Sequence, residues 1–278
     1  MAAKLLFNDE FNSFDPYSKT DVWQTSYHWG ADAVINHEKA YYVDTENHGT
    51  TGTAGAVNPF TTGDGTLTIT AAPAQTALPG GQTYTSGVIS SMGSFERQYG
   101  FFEMRADLSG GEGFWPAFWL MPADKASPPE LDIMEYSSRL ANEYATTVHS
   151  NAGGTYSMSQ KFVKDLPNLS EGYHTFAVDW QADKITWFLD HQAVYQIDTP
   201  ADFHKSMYIL INHAAGGGPW IGDPDGSTQH YKVDFVRVYD HNPEAAGAAA
   251  VQGVEEFVAA PANDAFYPVM PEMDLIAA

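Results

Sequence analysis

Between Gly63 and Ala72 the chain reads GDGTLTITAA, a turn followed by Leu67 and Ile69 set alternately among threonines. That two-residue period puts the apolar side chains on one face of an extended strand. The pattern recurs in YHTFAVDWQADKITWFLDHQAVYQI (173–197), which reads as a meander. Its strands hold Phe176 and Val178, then Ile185, Trp187 and Leu189, then Val194, Tyr195 and Ile197, with turns at Gln181–Asp183 and Asp190-His191. YTSGVISSMGSFERQYGFFEMRADL (84–108) divides into two or three strands at Gly87, Gly93 and Gly100. MYILINHAAGG (207–217) and YKVDFVRVYD (231–240) add others, the last with Val233, Phe235, Val236 and Val238 alternating imperfectly. Before residue 240 no segment keeps a 3.6-residue apolar period for three turns, so long helices are not expected. The expected fold class is all-β, a two-sheet antiparallel β-sandwich, and 278 residues is a length that such a fold fills as one domain.

Composition narrows the partners. Thirteen Lys and Arg stand against 35 Asp and Glu, a formal charge of −22, which disfavours nucleic acid and anionic membranes. A neutral glycan carries no such conflict, and aromatic residues at 14% suit a site that stacks flat ligands. With no Cys, disulfides, thiolate metal sites and cysteine nucleophiles are excluded. No apolar run approaches the roughly 18 residues of a membrane span. The start, MAAKLLFNDEF, lacks the pattern of a cleavable signal peptide. After Asp240 the chain contains no Lys or Arg and turns rich in Ala, Pro and acids. Residues 241–278 are therefore expected to form an acidic tail, either a flexible appendage or a C-terminal export signal of the type I kind, beyond a catalytic domain spanning 1–240.

The stretch SPPELDIMEYSS (127–138) sets three carboxylates, Glu130, Asp132 and Glu135, among Leu131, Ile133 and Met134. On a regular strand Glu130 and Asp132 share a face and Glu135 falls on the other, in the core, at a cost of several kcal/mol. A β-bulge at Ile133 or Met134 returns Glu135 to the face of its partners. The two Glu backbones then lie about 13 Å apart, at roughly 3.3 Å per residue. Side chains leaning together bring the carboxyls to about 5 Å, the spacing at which one attacks an anomeric carbon and the other shuttles the proton. Asp132, a like charge between them, would help keep the acid protonated and the nucleophile oriented. The competing readings are a solvated acidic edge strand, which fits poorly with the apolar alternates, and a calcium site, which more commonly arises from loops.

ELDIME resembles the E-x-D-x-x-E signature of glycoside hydrolase family 16, in the bulged form of its laminarinase-like members. Other segments fall where that family has counterparts: FNDEF (7–11), GDGTLTITA (63–71), TSGVISS (85–91), YGFFEMRADL (99–108), GEGFWPAFWLMP (111–122), YHTFAVDW (173–180) and VDFVRVYD (233–240). The resemblance spans about residues 5 to 240. It implies a jelly-roll, concanavalin-like sandwich with a concave glycan-binding cleft, Glu130 as nucleophile, Glu135 as general acid/base and Asp132 as the assisting carboxylate. It further implies substrate contacts from Asn36, Glu103, Arg105, Trp115, Trp119, His149, Asn212 and Trp220. Trp180 and Trp187 read instead as core packing. His213 and Ile221 depart from the family pattern, which puts the sugar specificity in doubt. A structural calcium is implied at Asp234 with the backbone carbonyl of Glu10; no redox or organic cofactor is.

The expected activity is that of a secreted, monomeric endo-β-glucanase cleaving internal β-1,3 or mixed β-1,3/1,4 bonds of a polysaccharide with retention. The rivals are a glycanase of a bacterial exopolysaccharide or agar-type galactan, a transglycosylase, and a non-catalytic glucan-binding module. The presence of all three carboxylates argues against the module.

Overall fold

A computed structural model describes residues 2–18, 21–30, 33–45 and 57–244. The region expected to carry an export signal therefore lies almost wholly outside the described residues. Seventeen strands are described, and in chain order the first eight are β1 (Leu5–Asp9), β2 (Ala40–Tyr42), β3 (Phe60–Gly63), β4 (Thr66–Pro73), β5 (Tyr84–Ser86), β6 (Val88–Ser90), β7 (Glu96–Arg97) and β8 (Gly100–Asp107). There follow β9 (Phe114–Pro122), β10 (Glu130–Glu135), β11 (Tyr144–Ser150), β12 (Ser157–Val163), β13 (Tyr173–Trp180) and β14 (Lys184–Leu189). The last three are β15 (Gln192–Asp198), β16 (Met207–Ala215) and β17 (Gln229–Tyr239). Among the described residues, helix is confined to the 3-10 turn Ala201–Phe203 and one α-helical turn, α1 (Gly218–Ile221).

The strands form two sheets. A ten-stranded sheet runs β15-β14-β13-β8-β17-β4-β5-β2, with β1 on β17 and β3 on β4. A seven-stranded sheet runs β12-β11-β10-β9-β16-β6, with β7 on β16. Every ladder between these strands is antiparallel except β2–β5, which is parallel and departs from the expected pattern. The main core lies between the sheets. Leu67, Ile69, Phe102, Met104, Phe176, Val178, Trp180, Trp187, Val233 and Val236 of the larger sheet meet Phe118, Leu120, Leu131, Ile133, Met134, Val148, Ile209 and Ile211 of the smaller. Each such side chain contributes about 1.5–3 kcal/mol on burial.

Local chemistry explains the elements. In β4 the burial alternates as the sequence does, with Leu67, Ile69 and Ala71 inside. The β3–β4 turn needs positive φ at both central residues, and Asp64 (53°) and Gly65 (70°) supply it. Asp190 and His191 do the same between β14 and β15. The imperfect alternation near the carboxyl terminus marks a register shift of β17 against β8 between Val233 and Phe235. Val233, Val236 and Val238 consequently face the core, while Phe235 lies under the Arg237 guanidinium, 3.8 Å from its ring centroid.

A second apolar cluster covers the other face of the smaller sheet. It gathers Tyr27, Tyr42, Val88, Trp115, Ala117, Trp119, Met121, Tyr208 and Leu210, with Trp29 and Trp220 partly buried at its margin. This is the face that carries the three carboxylates.

Candidate active site

β10 lies between β9 and β11 in the middle of the smaller sheet. Against β9 its partners are Leu131↔Leu120, Asp132↔Trp119, Met134↔Phe118 and Glu135↔Ala117, so the strand holds one extra residue between Asp132 and Met134. The ladder to β11 is likewise interrupted between Asp132 and Glu135. Ile133 and Met134 both enter the core, and Glu135 joins Asp132 on the opposite face, as the uneven spacing predicts.

β11 supplies the polar partners. His149 stands opposite Glu130 and Thr147 opposite Asp132. His149 Nε2 lies 3.1 Å from Asp132 Oδ2 and 3.8 Å from Glu130 Oε1, and its Nδ1 lies 2.7 Å from the Tyr156 hydroxyl. Thr147 Oγ1 donates to Glu135 Oε2 at 3.1 Å and accepts from Gln160 Nε2 at 3.2 Å. Asp132 and Glu135 are buried, and Glu130 is the more open of the three.

Burial makes these carboxyls reluctant to ionise. Glu130 is held above the usual carboxylate range by desolvation first, then by the charges of Asp132 and Glu135, with His149 pulling the other way. Desolvation raises Asp132 in the same direction. Glu130 and Asp132, two acids on one buried face, therefore share protons rather than both ionising. Tyr156 is pushed up to about 12 by burial and by the same three carboxylates, which locates its hydroxyl beside them.

Trp119 is the β9 partner of Asp132, and its Nε1 donates to Asn212 Oδ1 at 2.8 Å. Asn212 Nδ2 donates in turn to the Tyr42 hydroxyl at 3.2 Å. Trp119 and Trp115 lie on the carboxylate face but are largely covered. Tyr27 and Trp29 stand 6.1 and 6.4 Å from Trp119, ring to ring, and Trp220 packs edge-on to Trp115 at 5.9 Å. Gly217 permits that packing, since a Cβ there would meet Trp115 Cε3 at 2.9 Å. Trp220 sits on α1, whose carbonyl at Trp220 accepts from Ser137 Oγ at 3.0 Å. Asn36, in the turn before β2, hydrogen-bonds Glu38 through its side chain.

Two of the expected substrate contacts are corrected. Glu103 and Arg105 lie on β8, in the larger sheet, and alternate with the core residues Phe102, Met104 and Ala106. They face outward on the far side of the molecule from the carboxylates. Glu103 lies 3.7 Å from His191, and Arg105 Nη1 lies 2.5 Å from Asp234 Oδ2 with its guanidinium over the Tyr173 ring. Period-two alternation shows which residues share a face but not which sheet the strand joins.

The same pair bears on the implied calcium. The Asp234 carboxylate is matched by the Arg105 guanidinium, and the Glu10 carboxylate by Arg237 at 2.8 and 3.0 Å. A guanidinium on Asp234 Oδ2 opposes a second cation at that oxygen, whereas Arg237 pairs with the Glu10 side chain and not with the backbone carbonyl that the resemblance implies; no step is derived through the ion. Among the described residues, one group of titratable side chains brings metal-ligating atoms together, namely Glu130, Asp132 and His149, within 4.8 Å of one another.

Sequence reasoning missed the wall built before residue 45. Tyr27 and Trp29 stack at 4.4 Å, His28 Nδ1 lies 2.9 Å from the Tyr208 hydroxyl, and the Tyr42 hydroxyl donates to Glu38 Oε2 at 2.5 Å. Glu38 is buried and pushed up to about 7, chiefly by desolvation. The doublet Tyr41-Tyr42 behind an acid was the available signal, since a buried tyrosine hydroxyl needs a partner.

Residues 45–237 match the model of the glycosyl hydrolases family 16. The chain belongs to that family. It is 40% identical over 244 residues to the endo-1,3-1,4-β-glycanase ExsH of Rhizobium meliloti, an alignment covering 84% of this chain and 51% of ExsH. It is 29% identical over 259 residues to a β-glucanase of Rhodothermus marinus, with 85% of each chain covered. Among solved structures it resembles the catalytic domain of an endo-1,3-β-glucanase (laminarinase) from Thermotoga petrophila, with TM-score 0.70, 27% identity, and 86% and 98% of the two chains covered. This family-16 chain spans about half the length of ExsH and of the second Rhizobium meliloti relative, EglC.

Proposed function

We propose that this chain is a retaining endo-β-glucanase acting on internal β-1,3 or mixed β-1,3/1,4 bonds of an extracellular polysaccharide. The observation that carries the reading is the extra residue in β10, which turns Asp132 and Glu135 to one face while Ile133 and Met134 stay in the core.

Glu130, the most open of the three carboxyls, ionises and attacks the anomeric carbon. As that bond forms, the glycosidic C–O bond breaks and Glu135 gives its proton to the leaving oxygen. Asp132, kept protonated by burial, lets Glu130 carry its charge without a second anion beside it. In the second half, Glu135 takes a proton from water, the oxygen attacks the same carbon from the opposite face, and Glu130 is released as carboxylate. Two inversions give net retention.

The 40% likeness to ExsH and 39% to EglC, both endo-1,3-1,4-β-glycanases, favours a glycan containing both linkages over a pure β-1,3 chain. Product profiling on laminarin, barley β-glucan, agarose and bacterial exopolysaccharides tests the substrate. Glu130→Ala tests the mechanism: it should be inactive, and azide should restore turnover as the α-glycosyl azide. Near-normal activity without azide, or α-anomer as the first product of the native chain, overturns it.

A further inference from the structure

The mechanism leaves one buried carboxyl on this face unused. Glu38 precedes β2, bridges Gly216 through its backbone, and is 6% exposed. Three hydrogen bonds run toward it in a single direction. Trp119 Nε1 donates to Asn212 Oδ1 at 2.8 Å, Asn212 Nδ2 donates to the Tyr42 oxygen at 3.2 Å, and Tyr42 donates to Glu38 Oε2 at 2.5 Å. At its far end the chain reaches the side chain that pairs with Asp132 across β9 and β10.

The direction follows from the inventory of donors and acceptors. An indole N–H only donates, so Asn212 must turn its oxygen to Trp119 and its NH₂ to Tyr42. The Tyr42 oxygen then accepts, and its own hydrogen needs another acceptor, which Glu38 supplies. Without that acceptor the Tyr42 hydrogen is shared between the Tyr27 hydroxyl, its other hydrogen-bond partner, and Asn212. The amide is then drawn to flip, which sets its NH₂ against the indole N–H, two donors face to face. Tyr42 also braces the exposed edge of the wall. Its ring meets Tyr27 edge-on at 5.0 Å, and Tyr27 carries the stacked Trp29.

We infer that Glu38 is a positioning residue, whose carboxyl oxygen fixes Tyr42 and through it the Asn212 amide and the Trp119 indole beside Asp132. It lies outside residues 45–237, so it is not among the positions that the family model matches. The inference rests on reading this face as the glycan site.

The test combines a measurement made without sugar and one made with it. Indole N–H exchange is followed by NMR on tryptophan-¹⁵N-labelled protein, with the Trp119 resonance assigned from Trp119→Phe. Kinetics are measured on barley β-glucan. Glu38→Leu should speed Trp119 N–H exchange and raise KM, each about tenfold, the size of one lost buried acceptor, with kcat changed less than about threefold. Glu38→Gln, which keeps an acceptor, should restore both to within about twofold of the native chain. Unchanged exchange and KM in Glu38→Leu, or failure of Glu38→Gln to differ from it, overturns the inference. If Glu38→Leu does not fold by circular dichroism, Tyr42→Phe removes the same link and decides by the same two readouts. A native chain inactive on every glucan would end the glucanase reading, while the exchange rate would still decide for or against Glu38.

Discussion

The indole Nε1 of Trp187, on β14 of the larger sheet, donates a 3.0 Å hydrogen bond to the backbone carbonyl of Asp132 on β10 of the smaller. The bond crosses the interior and ends at the residue where the β10 register begins to shift. A bulged strand leaves backbone groups without ladder partners, and here the opposite sheet supplies one. Trp187→Phe keeps most of the packing and strands that carbonyl. Stability should fall by about 1–3 kcal/mol in urea denaturation, with a larger proportional loss of kcat than a comparable core substitution away from β10 produces.

Deleting Ile133 should remove the extra residue and restore a regular alternation. Glu135 would then point between the sheets, where a carboxyl costs several kcal/mol. The expected outcome is a marginally stable protein without detectable hydrolysis. A stable, active deletion variant would show that the register of β10 is not what sets the acid/base.

His149 sits beside both Glu130 and Asp132, and its charge favours ionised Glu130. Replacing it by Phe removes that interaction, so Glu130 should hold its proton to higher pH. The acid limb of kcat/KM on barley β-glucan should therefore move upward, while the alkaline limb shifts less.

His213 is fully buried on β16, its Nδ1 bonded to the Ile69 carbonyl at 3.1 Å and its Nε2 without a partner. Burial lowers its pKa from the ordinary 6.5 to about 3. Between those values the unfolded chain binds the proton and the folded one does not. Stability is thus retained above pH 6.5 and lost at about 1.4 kcal/mol per pH unit on acidification toward 3. Glu38 runs the other way, since its raised pKa favours the folded state below its ordinary 4.5 and loses that advantage toward about 7. Comparing His213→Leu with the native chain isolates the histidine contribution: on going from pH 6.5 to 4 the variant should lose less stability, or gain more, in thermal unfolding than the native chain does.

Arg105→Ala tests the outward placement of β8. The Arg105–Asp234 pair is partly exposed, and its loss should cost no more than about 1 kcal/mol. Kinetics on every glucan should stay within about twofold of the native chain. A tenfold rise in KM would return Arg105 to the substrate.

The bulge was legible because charge and periodicity conflict at Glu135, and burying that acid would cost more than distorting the strand. The hairpin turns were legible from Asp64-Gly65 and Asp190-His191, whose positive φ values the sequence could anticipate. The sheet to which Glu103 and Arg105 belong was not, because strand pairing is set by contacts distant in sequence. The link from Glu38 through Tyr42 to Asn212 was hidden for the same reason: 170 residues separate Tyr42 from Asn212, and no local pattern announces a hydrogen bond between them.

The wall of Tyr27, Trp29, Glu38 and Tyr42 is contributed by the chain before residue 45, whereas the carboxylates stand on a strand near its middle. Under the glucanase reading, part of the sugar-holding wall and the carboxylates that cut are consequently written in separate stretches of sequence. Under that reading, substitutions confined to the first stretch should change KM among glycans more than kcat.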